Sequence, residues 1–373
     1  MKVIDLFAGA GGISVGLKNA GYNIVLANEI DKDFAKTYKR NHVASEVVCD
    51  DVEIFVKNLN KYKNEQIDLI VGGTPCQGFS MAGARIRKNQ NILKDSRNYL
   101  FRNYFEVIQY FEPKYFIFEN VEGLTTLNKG NFLKEIVRLF TNKDNFKKGK
   151  YFLNYKIVNV ANFGVPQKRK RFIMIGSKRP FPELDAVIKK YLSSLSSTSK
   201  YKQSPNIRQT IGDLNYIEVG GGEFEQRYKC EPNTKYQKML RNGQVKLFNH
   251  VATKHNKVAL SRIIRLKPGD SRSSLNDKHL IKSVHSGAYS RMKWEDQAVT
   301  ITTRFDTPSG GKFIHPERNR TITPREAARL QSFPDEFVFM GPKSKITTMI
   351  GNAVPPLFAE FLGNIIKYIN KNY

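Results

Sequence analysis

The chain has 373 residues, 40% of them hydrophobic, with 61 Lys and Arg against 34 Asp and Glu, a formal net charge of +27. That length exceeds what one hydrophobic core usually fills, so two domains are expected, and the apolar content excludes wholesale disorder. Apolar runs are broken by Lys, Asn or Gly too often to cross a bilayer, and the N-terminus reads as a first strand rather than a signal peptide. The expected location is the cytoplasm, with no membrane contact, and the cation excess points to a polyanion such as nucleic acid.

In chain order, short apolar runs predict strands at Val3–Leu6, Ile24–Ala27, Ile67–Val71, Tyr115–Phe118 and Arg171–Gly176. Helical patterns fall between them at Ile13–Asn19, Phe34–Arg40, Val52–Asn60 and Tyr99–Tyr110. This alternation predicts an α/β fold with a mostly parallel sheet and helices on both faces. After Pro180 the texture changes. Leu192–Ser204 is rich in Ser and Lys and reads as a linker, and from about Ile207 to Arg320 short segments alternate with Gly- and Pro-bearing turns. The segment from Thr323 has a cap, Pro324 at the first helical position and Glu326 in the first turn, so a helix starts there. Val354–Ile369 is a final amphipathic helix. The expected organisation is a sheet-bearing domain over residues 1–180, completed by 345–373, with a smaller loop-rich domain and hinge over 181–344.

The cysteines are Cys49, Cys76 and Cys230, an odd number with no C-x-x-C pair. A disulfide framework or structural zinc site is not expected, nor any other metal. Cys49, in Val47-Val48-Cys49, reads as a buried strand end, and Cys230 carries no signal.

Four runs carry chemistry. Asp5-Leu6-Phe7-Ala8-Gly9-Ala10-Gly11-Gly12 passes from a strand into a helix, where glycines let a ligand approach the backbone. Glu29 closes the next strand, where an acid commonly takes ribose hydroxyls. Gly72-Gly73-Thr74-Pro75-Cys76-Gln77-Gly78-Phe79-Ser80 follows a strand, and in an open parallel sheet ligands bind beyond the strands' carboxyl ends. A cysteine there is placed as a nucleophile, provided nearby charge or dipoles lower its thiol pKa. Phe116-Ile117-Phe118-Glu119-Asn120-Val121 puts a carboxyl on the same rim; a plainer reading makes Asn120 a helix cap and Glu119 a surface acid. Gln167-Lys168-Arg169-Lys170-Arg171 alternates, so Arg169 and Arg171 point one way and the two lysines the other.

In this order the runs resemble the motif series of the DNA cytosine-C5 methyltransferases. The resemblance rests on Phe7 to Gly12, Pro75-Cys76-Gln77, Glu119-Asn120-Val121, and Gln167 with Arg169 and Arg171. It extends to Arg325 to Gln331 and to Gly351-Asn352-Ala353-Val354-Pro355-Pro356. It covers the chain except roughly residues 180–320, where that family keeps its variable target-recognition region. It implies a Rossmann-like fold that binds S-adenosylmethionine and releases S-adenosylhomocysteine, and double-stranded DNA as substrate. It further implies a monomer, and a separate cognate restriction endonuclease as a possible companion.

The resemblance also implies roles. Cys76 would add to C6 of a flipped-out cytosine, Glu119 would meet N3 and the exocyclic amine, Arg169 would bind the O2 edge, and Arg171 would support that pocket or Glu119. Phe7, Gly9, Gly11, Gly12, Glu29, Ile30, Pro75, Leu100 and Asn352 would line the cofactor site. Asp51 followed by Val52 would meet the adenine, with Asp50 as the alternative. Gln77, Ser80, Arg85 and Arg97 would belong to an active-site loop that closes on DNA. Two readings compete with DNA methylation within the same fold: a transfer-RNA methyltransferase and a non-catalytic DNA-binding relative. A nicotinamide oxidoreductase would explain Gly9 to Gly12 and Glu29, but not Pro75-Cys76-Gln77.

Overall fold

The computed structural model describes residues 1–74, 100–275 and 287–373. The chain divides into two compact units. Unit 1 is Met1–Val160, Lys170–Lys202 and Phe358–Tyr373; unit 2 is Ala161–Arg169 and Gln203–Leu357.

Unit 1 is built on β1 (Lys2–Leu6), β2 (Asn23–Asn28), β3 (Glu46–Val48), β4 (Leu69–Gly73), β5 (Tyr115–Val121) and β6 (Phe152–Asn159). Past a two-residue strand of unit 2, β7 (Gln167–Lys168), comes β8 (Lys170–Ser177). The sheet order is β3-β2-β1-β4-β5-β8-β6. Strands β1 to β5 pair in parallel, while β8 runs antiparallel to both β5 and β6. All five expected strands are present. Strand β6 was not anticipated, because its exposed Tyr155 and Ile157 and its polar Asn154 and Lys156 blur the apolar run.

The helices of unit 1 begin with α1 (Gly12–Asn19), α2 (Lys32–Asn41), α3 (Val52–Lys57), α4 (Leu100–Phe111), α5 (Asn131–Thr141) and α6 (Leu184–Ser194). Even-numbered residues of the central strands, among them Ile4, Leu6, Ile70, Phe116, Phe118 and Met174, share one cluster with Phe55, Tyr104, Ile108, Ile136 and Phe140. The period of two thus seats α3, α4 and α5 on one face. On the other face Ala27 and Val47 pack with Ala35 and Tyr38 of α2. The expectation for Cys49 is corrected: it is exposed, because β3 ends at Val48 and is an edge strand.

Unit 2 has little regular structure. It contains α7 (Ile207–Ile211), β9 (Glu225–Arg227), α8 (Lys235–Arg241), β10 (Lys246–Phe248), α9 (Lys257–Ile263), β11 (Ala298–Val299), α10 (Pro324–Leu330) and α11 (Lys343–Asn352). The chain then enters α12 (Pro356–Asn372), most of which belongs to unit 1. Helical residues from Lys343 to Asn372 are long and apolar enough for a membrane span by composition. However, 83% of that window is buried, which marks core helix.

Few strands leave many buried carbonyls without ladder partners, and arginines take them. Arg325 donates to the carbonyls of Phe248, Pro334 and Phe337, and Arg291 to those of His315, Arg318 and Ile263. A guanidinium carries five N–H donors in a fixed fork, so one side chain can tie several loops together. The helix start at Thr323 is a full capping box with Glu326. Both Glu326 oxygens also accept from Arg320, at 2.8 Å each. Burial alone would raise the Glu326 pKa, but Arg320 pulls it down to about 2. Glu326→Gln strands the Arg320 charge in the interior. The expected loss is about 3–5 kcal/mol of unit 2 stability, read by urea unfolding; a change below about 1 kcal/mol would show that the pair is not what holds this helix.

Candidate active site

The rim at the carboxyl ends of β4 and β5 is the chemical centre of unit 1. Parallel register sets Gly73 beside Glu119. A Cβ on Gly73 would lie 2.8 Å from Glu119 Oε2, so a larger residue there would push this carboxylate out of its present position. Glu119 is buried at 8% exposure, which overturns the surface-acid alternative. In the antiparallel pairing of β5 with β8, Glu119 faces Ile173 and Val121 faces Arg171. Glu119 and Arg171 are therefore diagonal neighbours on one face, within reach of long side chains. Arg171 Nε lies 2.9 Å from Glu119 Oε1. Burial pushes the Arg171 guanidinium below the usual arginine range, and the Glu119 carboxylate opposes that shift.

Asn120 lies inside β5 and caps no helix. Its Nδ2 donates to Thr74 Oγ1 at 2.9 Å and to the Thr74 carbonyl at 3.2 Å. Its Oδ1 accepts from Val121 N. The chain is thus tied to this rim one residue before Pro75. Pro75, Cys76, Gln77, Ser80, Arg85 and Arg97 lie outside the described residues.

The second corner of unit 1 is the glycine loop after β1. Phe7 has φ 54° and is half-buried, Gly9 has φ 59° and Gly11 φ 97°. A side chain at Gly11 would strike His42 Nε2 at 2.4 Å, so the loop lies directly on α2. Glu29 Oε2 accepts from Gly9 N at 2.8 Å, and Oε1 from Asp31 N at 2.9 Å. Burial raises the Glu29 pKa, and these two N–H bonds counter it. Ile30 beside it is 64% exposed, an apolar side chain standing in solvent. Asp51 caps α3 through Glu53 N, while Asp50 Oδ1 accepts from Asp51 N. Val52 is buried as the first residue of α3, and Leu100 is half-buried at the start of α4. Gly12 opens α1.

Two expected site residues belong to unit 2. Arg169 is buried, and its guanidinium donates to the carbonyls of Ile301, Gly351 and Ala353 at 3.1–3.2 Å. Asn352 is exposed at the end of α11, between two of those carbonyl-bearing residues. Gln167 Nε2 donates to Gln331 Oε1 and its Oε1 accepts from Ile301 N, so it braces the same region. Lys168 and Lys170 are exposed while Arg169 and Arg171 are not, matching the expected alternation.

An open, mostly parallel sheet with polar groups gathered at its carboxyl rim defines a Rossmann-like methyltransferase fold. The family model for C-5 cytosine-specific DNA methylase matches residues 1–368, and the chain belongs to that family: it is a DNA (cytosine-5) methyltransferase. The type II methyltransferase M.DdeI of Desulfomicrobium norvegicum is 33% identical, over 100% of this chain and 90% of that protein. The type II methyltransferase M1.HphI of Haemophilus parahaemolyticus is 32% identical, over 100% and 88%. Among solved structures, a chain described as a DNA modification methyltransferase encoded within a prophage (E. coli) has a TM-score of 0.75 at 26% identity, covering 100% of both chains. The S. pombe Dnmt2 methyltransferase shares the fold, with a TM-score of 0.60 at 15% identity and 100% coverage of both.

Sequence reasoning passed over the acid of the first run. Asp5 is fully buried; Ser14 Oγ donates to its Oδ2 at 2.6 Å and lies 2.6 Å from the Tyr38 hydroxyl. Asp5 Oδ1 has no hydrogen-bond partner among the described residues. The signal was present as an acid inside an otherwise apolar strand. Burial pushes the Asp5 pKa up to about 7; the Ser14 bond opposes this and Glu29 adds to it. A raised carboxyl pKa means that the folded state holds the proton more tightly. The stability tied to that proton is complete below about pH 4 and is lost as pH rises to about 7. Asp5→Asn keeps an acceptor for Ser14 and removes the titration. Its melting point should match the parent's near pH 4 and exceed it by several degrees at pH 8, an effect bounded by about 4 kcal/mol; an equal offset at both pH values would refute the buried ionisation.

Proposed function

We propose that this enzyme transfers a methyl group from S-adenosylmethionine to C5 of a flipped-out cytosine in duplex DNA, with Cys76 as the nucleophile. The observation that carries the reading is the tie between Asn120 and Thr74, which holds the residue before Pro75 at the strand end bearing Glu119.

The residues at the glycine loop suit the cofactor. Both Glu29 oxygens keep lone pairs for ribose hydroxyls, and exposed Ile30 offers an apolar surface to an adenine ring. The tight turn over Gly9 and Gly11 leaves backbone open to the methionine portion, with Phe7 alongside. Asp51 with Val52, or Asp50, would meet the adenine edge, and Pro75, Leu100 and Gly12 complete the expected lining. When bound, the cofactor supplies an electrophilic methyl on a sulfonium.

Cytosine C5 is a weak nucleophile until a group adds at C6. The Cys76 thiolate forms the Sγ–C6 bond, and the C5–C6 π pair becomes available at C5, with charge developing at N3 and O2. Glu119 meets N3, where hydrogen bonding requires a proton between carboxylate and ring. Arg171, 2.9 Å from Glu119 Oε1, holds that carboxyl at the strand end where the ring would meet it. Arg171, at Glu119, is the arginine better disposed to stabilise charge on the O2 side. Arg169 would then act as a positioning residue, its guanidinium holding three carbonyls. After methylation a base, such as water, takes the C5 proton, the electron pair reforms C5=C6, and Cys76 leaves as thiolate.

Unit 1 would supply cofactor binding and chemistry, and unit 2 target recognition. Gln77, Ser80, Arg85 and Arg97 would contact DNA from the loop after Cys76. The enzyme would act as a monomer in the bacterial cytoplasm and, by likeness to relatives named type II methyltransferases, as the modification half of a restriction–modification system.

DNA bearing 5-fluorocytosine blocks the last proton removal and should trap a protein–DNA adduct that survives denaturing electrophoresis. Cys76→Ser should form none and lose turnover, and Glu119→Gln should slow turnover by about 10²–10⁴-fold. An active wild-type enzyme that leaves no adduct would exclude attack at C6. In calorimetry S-adenosylhomocysteine should bind and NAD should not, with Glu29→Ala weakening the affinity; equal binding of NAD would overturn the cofactor assignment.

A further inference from the structure

We propose that the outer face of α9 and the turns flanking it, from Lys254 to Lys267, form the surface on which unit 2 holds the phosphate backbone of duplex DNA, because five cations lie there that join no ion pair among the described residues. This rests on the DNA-methyltransferase reading and adds to it the place where the substrate is gripped.

The charge pattern is the first support. The chain has 34 acidic residues in 373, about one in eleven, yet none occurs between Glu231 and Asp270. The same stretch carries nine Lys and Arg residues. The structure then separates them. Arg241 lies 3.6 Å from Glu231 and stacks 3.7 Å over the Tyr228 ring, and Lys246 pairs with Glu225 at 2.6 Å. Lys254, Lys257, Arg262, Arg265 and Lys267 join no ion pair among the described residues, and all but Arg262 are exposed.

Packing is the second support. Ile263 and Leu266 are buried with Leu275, Ala288, Tyr289 and Ile314, so one face of α9 is anchored in the interior of unit 2. The opposite side presents exposed Lys254, Lys257, Arg265 and Lys267. Arg262 is half-buried, its guanidinium 5.7 Å from the Tyr289 ring. Asn256 caps the helix through Ala259 N, and Asp270, the acid that ends the run, accepts from Lys267 N. The cations thus project from a braced element, as backbone contacts that fix register require. Val258 and Ile264 stand among them at 59% and 56% exposure. Two solvent-facing apolar side chains within a cationic surface suit the sugar and base-edge carbons that flank phosphates.

The test removes the charges and reads salt dependence. A variant with Lys254, Lys257, Arg265 and Lys267 all changed to Gln is compared with one in which exposed Lys36, Lys57, Lys61 and Lys63 of unit 1 are changed to Gln. The two lose equal charge. Binding to a short mixed-sequence duplex is followed across a salt series, and methyl transfer to unmethylated genomic DNA is measured in parallel. Each lost phosphate contact lowers the slope of log affinity against log salt by about 0.9, so the unit 2 variant should lose about 3–4. Its KM for DNA should rise tenfold or more, with kcat at saturating DNA within about twofold of the parent. The unit 1 variant should keep the parental slope.

Equal slopes in the two variants, or parental KM in the unit 2 variant, would overturn the proposal while methylation by the parent left the enzymatic reading intact. Absence of methyl transfer by the parent would instead sink that reading, with the binding series still deciding the surface. Selective loss of binding to single-stranded RNA or anionic vesicles, with duplex binding unchanged, would assign the face to another partner and overturn it as well. Circular dichroism and a parental melting temperature for each variant separate lost contacts from lost folding.

Discussion

One strand runs against its neighbours, and the chemistry of the site follows from that. In a parallel sheet every strand arrives at the carboxyl rim with its last residues. Strand β8, antiparallel to β5, arrives there with its first. Lys170 and Arg171 open it, so a cation from the start of one strand meets Glu119 from the end of another. Had β8 been parallel, Ser177 would lie at that rim and Arg171 at the far edge of the sheet. The Glu119–Arg171 pair needs no long loop to assemble it. Its accuracy is that of a sheet register, finer than surface loops achieve. Gly73 completes the constraint from the other side, since the carboxylate occupies the space where a Cβ would be.

The same economy governs the loop after β1. Glu29 uses one oxygen on Gly9 N and the other on Asp31 N, so a single carboxylate fixes the turn of one βα unit and the start of the next. Beneath it the Asp5, Ser14 and Tyr38 side chains form a buried polar chain, with His42 against Gly11. Burial lowers the His42 pKa to about 3, so the imidazole stays neutral and adds no charge next to Asp5. Glu29, above it, keeps lone pairs on both oxygens beyond the two N–H bonds it accepts.

The framework of unit 1 could be read in the sequence because its strands are short apolar runs separated by helices, a pattern that periodicity resolves. Glu119, Arg171 and Glu29 were legible as members of ordered motifs, and the helix at Thr323 from its cap, proline and acid. Three things were not. Strand β6 pairs only along one edge and exposes Tyr155 and Ile157, so its residues carry no clean alternation. The tie from Asn120 to Thr74 spans 46 positions and depends on β4 lying next to β5, which no local pattern encodes. The division of labour between Arg169 and Arg171 was hidden as well: the two are equivalent by alternation, and only the partners distinguish them, carbonyls of unit 2 for one and a carboxylate of unit 1 for the other.

Those partners also explain how a chain of such high net charge folds. A buried cation is tolerated when its donors are satisfied and its charge is opposed. Arg329 meets Asp213 and Asp335, Arg320 meets Glu326, and Arg291 and Arg325 are wrapped in carbonyls. These arginines spend their charge inside unit 2 as crosslinks for irregular backbone, a use for which a planar fork of donors suits them better than an ammonium would. The unopposed excess therefore falls to residues at the surface, among them Lys254, Lys257, Arg265 and Lys267. A scaffold held by buried arginines does not depend on the identity of its outward residues. The exposed face of such a unit can change, cation by cation, while the interior that carries it stays the same.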